Sequence, residues 1–209
     1  MKPNIYLFSV ASNPQVISIN SLDITFLKPS VDFSKYDYFI LTSKQAVNSL
    51  NIYTDISLKP ALCISKETAK AYQMIGGKVL DIGLGYGDSL EKKIREYSQE
   101  VKWLYLRAEI IASNFVLDLQ KDKYIVDESI LYRSKCSQAI KDVEVKEGST
   151  LIFTSPSSVK CFLKNNLFDV SFKVIVIGKT TASALPDTVK YSVSKKKTII
   201  SCIKLANEK

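Results

Sequence analysis

LIFTSPSSVKCFL, residues 151–163, joins an apolar run to a cluster of Ser, Thr and Pro and then continues with apolar residues at a helical spacing. This order predicts a buried strand that leads directly into a helix, with Ser155 as the N-cap and Pro156 in the first turn. Two interpretations of the hydroxyl groups are open. They can cap the helix, or the free N–H groups and the positive dipole end at the start of the helix can bind an anion.

The same pattern of apolar residues, Thr-Ser and a helix start recurs in YFILTSKQAVNSL, residues 38–50. A second pair of related stretches, ALCISKETAKAY (61–72) and VIVIGKTTASAL (174–185), follows the first pair along the chain. The separation between the first and second stretch is nearly the same in both halves. Two correlated matches at one spacing indicate an internal duplication.

Short apolar runs alternate with helical patterns along the chain, which favours an α/β fold with parallel sheets covered by helices on both faces. The predicted strands are residues 5–10, 24–27, 38–42, 61–64, 78–82, 103–106, 125–132, 150–154, 173–177 and 190–193. The predicted helices are residues 44–50, 68–75, 89–97, 113–120, 156–163, 180–185 and 198–206. In such folds ligands bind at the carboxyl ends of the strands.

The duplication predicts two similar domains, because residues 1–28 and 101–132 both show the pattern strand, helix, strand. The first domain is then discontinuous and the second is inserted into it, so that two connections join them and a cleft lies between. The predicted first domain comprises residues 1–29 and 137–209. The predicted second domain comprises residues 34–132, and the connectors are residues 30–33 and 133–136.

The charge balance suggests a polyanionic partner, since 29 Lys and Arg residues face 21 Asp and Glu residues and the net charge is +8. Nucleic acid, an acidic membrane surface and an acidic metabolite all fit this charge. The lysines are dispersed apart from a short run at 195–197, which a solvated face explains, and this argues against a nucleic-acid-binding module. No apolar run approaches the roughly 18 residues that span a bilayer, and the N-terminus lacks an export signal.

The chain contains no histidine, which excludes an imidazole base, Ser-His and Cys-His pairs, and His-ligated metals. Any proton transfer must come from Tyr, Lys, a carboxylate, the substrate or water. The cysteines at 63, 136, 161 and 202 lie far apart and form no C-x-x-C pair. We therefore expect reduced thiols, mostly small core residues, in a cytoplasmic protein.

Six motifs along nearly the whole chain resemble, in kind and in order, those of the uroporphyrinogen-III synthase family. They are LTSKQAV (41–47), ISKETA (64–69), LYLRAE (104–109), ESILYRSK (128–135), IFTSPSSVKCF (152–162) and VIGKTTASAL (176–185). The resemblance implies two flavodoxin-like domains, each a doubly wound parallel sheet, joined by a two-stranded connector. It also implies a monomer with no metal and no cofactor.

The activity that the resemblance implies is the cyclisation of hydroxymethylbilane to uroporphyrinogen III in heme biosynthesis, with loss of water and inversion of the last pyrrole ring. The substrate is a linear tetrapyrrole with many carboxylates, which suits a basic protein. A hydroxymethylbilane lyase acting in the cytoplasm, without a nucleic-acid or membrane partner, is therefore the expected function. A non-catalytic two-domain binding protein for an anionic metabolite is the alternative, because it fits the cleft and the charge equally well.

The family motif places a tyrosine at the end of the strand before the second crossover, which is Tyr132 here. We expect Tyr132 to act as a hydrogen-bond donor or general acid, although a connector tyrosine packed between the domains would also explain it. The expected substrate-binding residues are Thr42, Ser43, Thr68, Arg107, Thr154, Ser155, Ser157, Lys179, Thr180 and Thr181. For the hydroxyl residues the alternative is plain N-capping of the helices. Arg107 is the expected carboxylate clamp, and the alternative is an ordinary surface arginine.

Overall fold

The computed structural model of the protein describes residues 4–54, 56–111 and 113–208. The strands are β1 (Ile5–Ser9), β2 (Ile17–Asn20), β3 (Leu22–Phe26), β4 (Tyr38–Leu41), β5 (Ala61–Cys63), β6 (Val79–Ile82), β7 (Lys102–Ala108), β8 (Ile125–Cys136), β9 (Thr150–Phe153), β10 (Lys173–Val176) and β11 (Tyr191–Val193). The α-helices are α1 (Lys44–Leu50), α2 (Lys66–Met74), α3 (Gly87–Ile94), α4 (Phe115–Lys121), α5 (Gln138–Lys141), α6 (Pro156–Phe162), α7 (Lys179–Ala182) and α8 (Ile199–Asn207). Within the described ranges no helix has the length and apolarity needed to cross a bilayer.

The chain divides into two compact units, residues 1–23 with 135–209 and residues 24–134. The first unit is therefore built from two separate segments of the chain. The divisions fall after Asp23 and after Ser134, so residues 24–33 belong to the unit that we expected to begin at residue 34.

The sheet of the first unit has the order β11-β10-β9-β1-β2, and all of its neighbouring strands are parallel. Its central strands are apolar on both faces, as expected of a parallel sheet between helices. Phe8 and Phe153 face a cluster that includes residues of α5, α6 and α7. Leu7 and Ile152 face the opposite side, where α8 contributes buried residues. Successive side chains of a strand point to opposite faces of the sheet, so these strands contribute to one core on each face.

The segment between β1 and β3 contains no helix, and here the expected pattern of strand, helix, strand is wrong. Residues 10–16 make a turn instead and lead into β2, which lies parallel to β1. The turn is held by Asn13, whose side chain accepts from the Gln15 N–H at 3.0 Å and whose carbonyl accepts from the Ser18 hydroxyl at 3.1 Å. Pro14 and this side-chain turn leave too few residues for a helix.

The sheet of the second unit has the order β3-β8-β7-β4-β5-β6, with parallel pairing from β8 through β6. One face packs Phe39 and Leu106 against α1 and α2. The other face packs Ile40 and Trp103 against α3 and α4. Both units therefore contain a mainly parallel sheet with helices on its two faces, which confirms the predicted mixed α/β class.

Two of the four cysteines are paired, so the expectation of reduced thiols is wrong for Cys136 and Cys161. A disulfide joins them, with their Cα atoms 5.4 Å apart, and links the end of β8 to α6. Cys63 and Cys202 are free and buried, as expected of small core residues. Spacing along the chain does not reveal such a pair, because 25 positions separate its members.

Candidate functional site

The carboxyl ends of β4, β7 and β8 bring together three of the predicted residues in the second unit. Thr42 and Ser43 directly follow β4, and Tyr132 lies near the end of β8. The hydroxyl groups of Ser43 and Tyr132 are hydrogen-bonded at 2.7 Å. Residues 89 positions apart thus meet at one edge of the sheet, which is where parallel α/β folds bind their ligands.

Ser43 also caps the helix that follows it. Its backbone is extended, and its side-chain oxygen accepts from the Ala46 N–H at 3.1 Å at the start of α1. This is the geometry of an N-cap, so the capping interpretation holds for Ser43. Since the same hydroxyl also contacts Tyr132, capping is only one of its two interactions.

A bulge in the pairing of β7 with β8 determines where Tyr132 points. Arg107 pairs with Ile130, whereas the next residue, Ala108, pairs with Tyr132 and skips Leu131. Leu131 and Tyr132 consequently pack into the same apolar cluster instead of facing opposite sides of the sheet. A bulge of this kind re-aims a side chain, here that of Tyr132 toward Ser43.

Tyr105 is a residue of this edge that the sequence did not reveal. Its side chain is 3% exposed, and its hydroxyl is hydrogen-bonded to that of Thr42 at 3.0 Å. Burial raises the pKa of Tyr105 and also that of Tyr132. The hydrogen bond with Ser43 lowers the pKa of Tyr132, but by less than burial raises it. Both phenols are therefore protonated at neutral pH and can donate a hydrogen bond.

Arg107 lies on β7 close to this edge, but its guanidinium already has partners within the unit. Its Nη1 donates to the carbonyls of Ala108 at 2.8 Å and Glu109 at 3.1 Å. Its Nε forms an ion pair with Glu128 that lacks the alignment of a hydrogen bond. The side chain is 17% exposed, so Arg107 is not the surface arginine that was the alternative.

Thr68 lies in the first turn of α2, after the carboxyl end of β5. Its N–H donates to the hydroxyl of the N-cap Ser65 at 3.3 Å, and the two hydroxyls are also 3.3 Å apart. Thr68 is 3% exposed. Capping therefore accounts for the interactions of Thr68, and Ser65 rather than Thr68 is the cap.

The stretch after β9 forms the corresponding edge in the first unit. Ser155 and Ser158 make a capping box, in which each side chain accepts from the backbone N–H of the other at 3.1 and 3.2 Å. The Thr154 hydroxyl donates to the Phe8 carbonyl at 3.2 Å, whereas Ser157 is exposed. The sequence signature of a capping box has Glu or Gln three residues after the cap, so Ser158 carries no clear sequence signal for this role.

The predicted residues after β10 lie at the same edge of this sheet, because β9 and β10 are parallel neighbours. Lys179 and Thr180 are exposed and Thr181 is buried. Gly178, the N-cap of α7, makes no side-chain cap, and a Cβ built on it would lie 3.6 Å from the Lys197 side chain. Lys197, which the sequence assigned to a solvated run, thus lies beside the start of α7.

The predicted site residues consequently form two sets, each at the carboxyl edge of one sheet. The set in the second unit contains Thr42, Ser43, Thr68, Arg107 and Tyr132. The set in the first unit contains Thr154, Ser155, Ser157, Lys179, Thr180 and Thr181. Both sets offer hydroxyl and cationic groups, which bind carboxylates well. Within the described ranges, no three His, Cys, Asp or Glu side chains are grouped so as to hold a metal ion.

Comparison with known proteins identifies one family. The family model for uroporphyrinogen-III synthase HemD matches residues 14–204. The crystal structure of uroporphyrinogen-III synthetase from Helicobacter pylori superposes with a TM-score of 0.80 at 26% identity, over 98% of each chain. A mutant uroporphyrinogen III synthase from the extremely thermophilic bacterium Thermus thermophilus shares the fold, with a TM-score of 0.62 at 15% identity over 97% of this chain and 98% of that one. No curated protein sequence matches the chain significantly.

Proposed function

This chain belongs to the uroporphyrinogen-III synthase family, the cyclising lyases of heme biosynthesis that convert hydroxymethylbilane to uroporphyrinogen III, and we propose that Tyr132 and the hydroxyl groups around it carry that reaction here. The observation that carries the function is the family match over residues 14–204. The observation that supports the site is the meeting of Ser43 and Tyr132 at the carboxyl edge of a parallel sheet. The family match does not favour the alternative of a non-catalytic binding protein.

The proposed chemistry begins with the terminal hydroxymethyl group of the bilane. Tyr132 protonates this hydroxyl, the C–O bond breaks and water leaves, which gives an azafulvene cation. The substituted carbon of the last ring attacks the cation, and the resulting spiro intermediate breaks and recloses with that ring inverted. The proton released on closure restores the phenol of Tyr132. A protonated, buried tyrosine suits the first step because it can donate at neutral pH.

Holding the bilane in the productive geometry is the other task of the enzyme. Without it the bilane closes at the unsubstituted carbon, so orientation decides which isomer forms, and orientation effects contribute several kcal/mol. We propose that the hydroxyl groups at the two sheet edges and Lys179 bind the carboxylates of the substrate. The exposed positions of Ser157, Lys179 and Thr180 support this assignment, because their side chains are accessible to a ligand.

For Arg107 we propose a narrower role than a free carboxylate clamp. Its Nη1 holds the backbone of residues 108 and 109, and its Nε is paired with Glu128. The remaining Nη2 is the part of the guanidinium that we assign to a substrate carboxylate. Arg107 thereby also maintains the shape of the chain just beyond β7.

We propose that the two units are flavodoxin-like domains. In the first unit the sheet order, counted in chain order from β1, is 2-1-3-4-5, which is the order of flavodoxin-like sheets. The second unit has the same succession if β7 and β8 take the places of β1 and β2, which supports the duplication. The two-stranded connector at residues 30–33 and 133–136 and the monomeric state stay predictions.

A cytoplasmic location also stays a prediction from the sequence. Part of its basis was the expectation of reduced thiols, and the disulfide between Cys136 and Cys161 speaks against that part.

The test of the proposed function generates hydroxymethylbilane in situ from porphobilinogen and a deaminase, and measures the ratio of the I and III isomers with and without the protein. We expect the III isomer to dominate when the protein is present. The I isomer alone, at every protein concentration, would contradict the activity. The Tyr132→Phe variant in the same assay tests the site, since it retains the ring and removes the donor.

A further inference from the structure

The hydrogen bond between Ser43 and Tyr132 can run in either direction, because either hydroxyl can be the donor. The proposed role of Tyr132 as the acid selects one of the two directions. The Ser43 oxygen already accepts from the Ala46 N–H. A serine hydroxyl has one proton to donate. If Tyr132 donated to Ser43, the serine proton would have no acceptor among the described residues.

The opposite direction leaves the phenolic proton, instead of the serine proton, available to another acceptor. With Ser43 as the donor, its oxygen accepts from Ala46 and its proton bonds to the phenolic oxygen of Tyr132. Tyr132 then keeps its own proton, and that proton has no acceptor among the described residues of the chain. Of the two directions, only this one leaves the phenolic proton free to be given to a ligand, as the proposed role of Tyr132 requires.

We propose that Ser43 is a positioning residue for the reaction: its hydroxyl, held by the cap of α1, donates to the phenolic oxygen of Tyr132 and directs the tyrosine proton to the departing hydroxyl of the bilane. This inference rests on the proposed role of Tyr132. It changes the role of Ser43 from substrate binding to orientation of the acid. Ser43 does so from the start of a helix, where Ala46 restrains its rotamer.

Donation by Ser43 also favours the chemistry of the acid. When Tyr132 gives its proton away, the phenolate that forms carries a negative charge in a buried position, where Tyr132 is 8% exposed. A hydroxyl that already points at this oxygen stabilises the charge as it develops, without reorganisation. Ser43 lowers the pKa of Tyr132 in this arrangement, while burial raises it by more.

A double-mutant cycle tests the inference, with the rate of III-isomer formation measured for the wild type, Ser43→Ala, Tyr132→Phe and the double variant. We expect Ser43→Ala to lower kcat roughly 10-fold in the wild type, since it weakens an acid whose full contribution is on the order of 10²-fold or more. In the Tyr132→Phe background the same change should lower kcat less than about 2-fold, because the group through which Ser43 acts is already gone.

Three further measurements separate orientation from a structural effect. Ser43→Thr retains both the cap and the donor and should recover most of the activity. Ser43→Asp retains the cap but can only accept, so it should fold and yet lower kcat. Ser65→Ala removes the neighbouring N-cap serine, which has the same extended backbone but no tyrosine partner among the described residues. Its effect should combine independently with that of Tyr132→Phe.

A pH profile adds a readout that loss of a cap would not move. Because donation from Ser43 favours the phenolate, its removal raises the pKa of Tyr132, and the alkaline limb of the kcat profile of Ser43→Ala should shift to higher pH. Independent effects of Ser43→Ala and Tyr132→Phe, together with an unmoved limb, would overturn the inference. Full activity of Tyr132→Phe would instead overturn the proposed acid itself, so the two failures are distinguishable.

Discussion

The hydroxyl of Tyr105 on β7 is hydrogen-bonded at 3.0 Å to that of Thr42, the first residue after β4. One residue further along, Ser43 makes the equivalent contact with Tyr132 at 2.7 Å. Two consecutive hydroxyl residues are thus each held by a tyrosine from a different strand. The loop between β4 and α1 is fixed from the two faces of the sheet, since Tyr105 and Tyr132 belong to opposite apolar clusters.

The first prediction concerns Tyr132. Tyr132→Phe should lower the rate of III-isomer formation on the order of 10²-fold, because it removes the proton donor but leaves the ring in its apolar cluster. The isomer ratio of the product, measured by chromatography, checks this. The loss should exceed that of any single Ser or Thr change to Ala in the substrate-binding set. III-isomer formation at the wild-type rate would remove Tyr132 from the mechanism.

The second prediction concerns the contact between Tyr105 and Thr42. Tyr105→Phe should reduce the free energy of unfolding by about 1 kcal/mol, the usual cost of leaving a partly buried hydroxyl without its partner. Urea unfolding followed by circular dichroism measures the change. The double variant Tyr105→Phe with Thr42→Val should regain part of the loss, because both polar groups are then gone. A double variant whose loss in the free energy of unfolding exceeds the two single losses added together would contradict this.

The third prediction concerns the cysteines. A thiol reagent should label no cysteine in the folded protein, two after unfolding in denaturant, and four after unfolding and reduction. The reason is that Cys136 and Cys161 are paired, whereas Cys63 and Cys202 are buried. Labelling of four thiols without reduction would show that the pair is open in solution.

The disulfide also leads to an expectation for stability. Replacing both Cys136 and Cys161 with Ser should lower the free energy of unfolding by about 3.5 kcal/mol, the loop-closure value for a separation of 25 residues. The reduced wild type provides the matched control, because it lacks the bond but retains the sulfur atoms. The two proteins should have similar urea midpoints, and a large difference between them would mean that the substitutions act through packing.

The fourth prediction is a loss of stability at alkaline pH. Burial raises the pKa of Cys63 from 9.0 to about 12, and burial with a hydrogen bond to Asp127 raises the pKa of Tyr36 from 10.0 to about 12. A pKa raised in the folded state means that the unfolded chain loses its protons first. The resulting stability is fully present below pH 9 and falls as the pH rises toward 12.

Unfolding free energies measured between about pH 7 and 11 test this fall. In Cys63→Ala the decline should be shallower, because this thiol no longer titrates, whereas Cys202, whose pKa burial also raises, still contributes. An unchanged pH dependence in this variant would show that Cys63 does not contribute to it.

Much of the fold could be predicted because the pattern of apolar residues and the residues that begin or end helices and strands are local properties of the sequence. The predicted helix at residues 44–50 and the strands at 61–64 and 173–177 agree with the structure to within one residue. The helix expected between β1 and β3 was wrong, since Asn13 and Pro14 favour a turn over continued helix. Period alone could not distinguish β2 from that helix in so short a segment.

The candidate site was partly predictable for the same reason. Ser43 and Ser155 stand at helix starts, and helix starts are visible in the sequence. Tyr105 was missed because it alternates with apolar residues along β7 and therefore resembles an ordinary core position. The partners of Arg107 were also hidden, since its contact with Glu128 depends on the register between β7 and β8.

The sequence by itself determined which segments become strands and helices, that they alternate, that the unit is duplicated, and which family the chain resembles. These properties follow from interactions within a few residues and from patterns along one dimension. Only the tertiary structure decided that Tyr132 meets Ser43, that Tyr105 meets Thr42 and that Cys136 meets Cys161. Such contacts depend on strand order, register and a single bulge, and these are set by the packing of the whole unit.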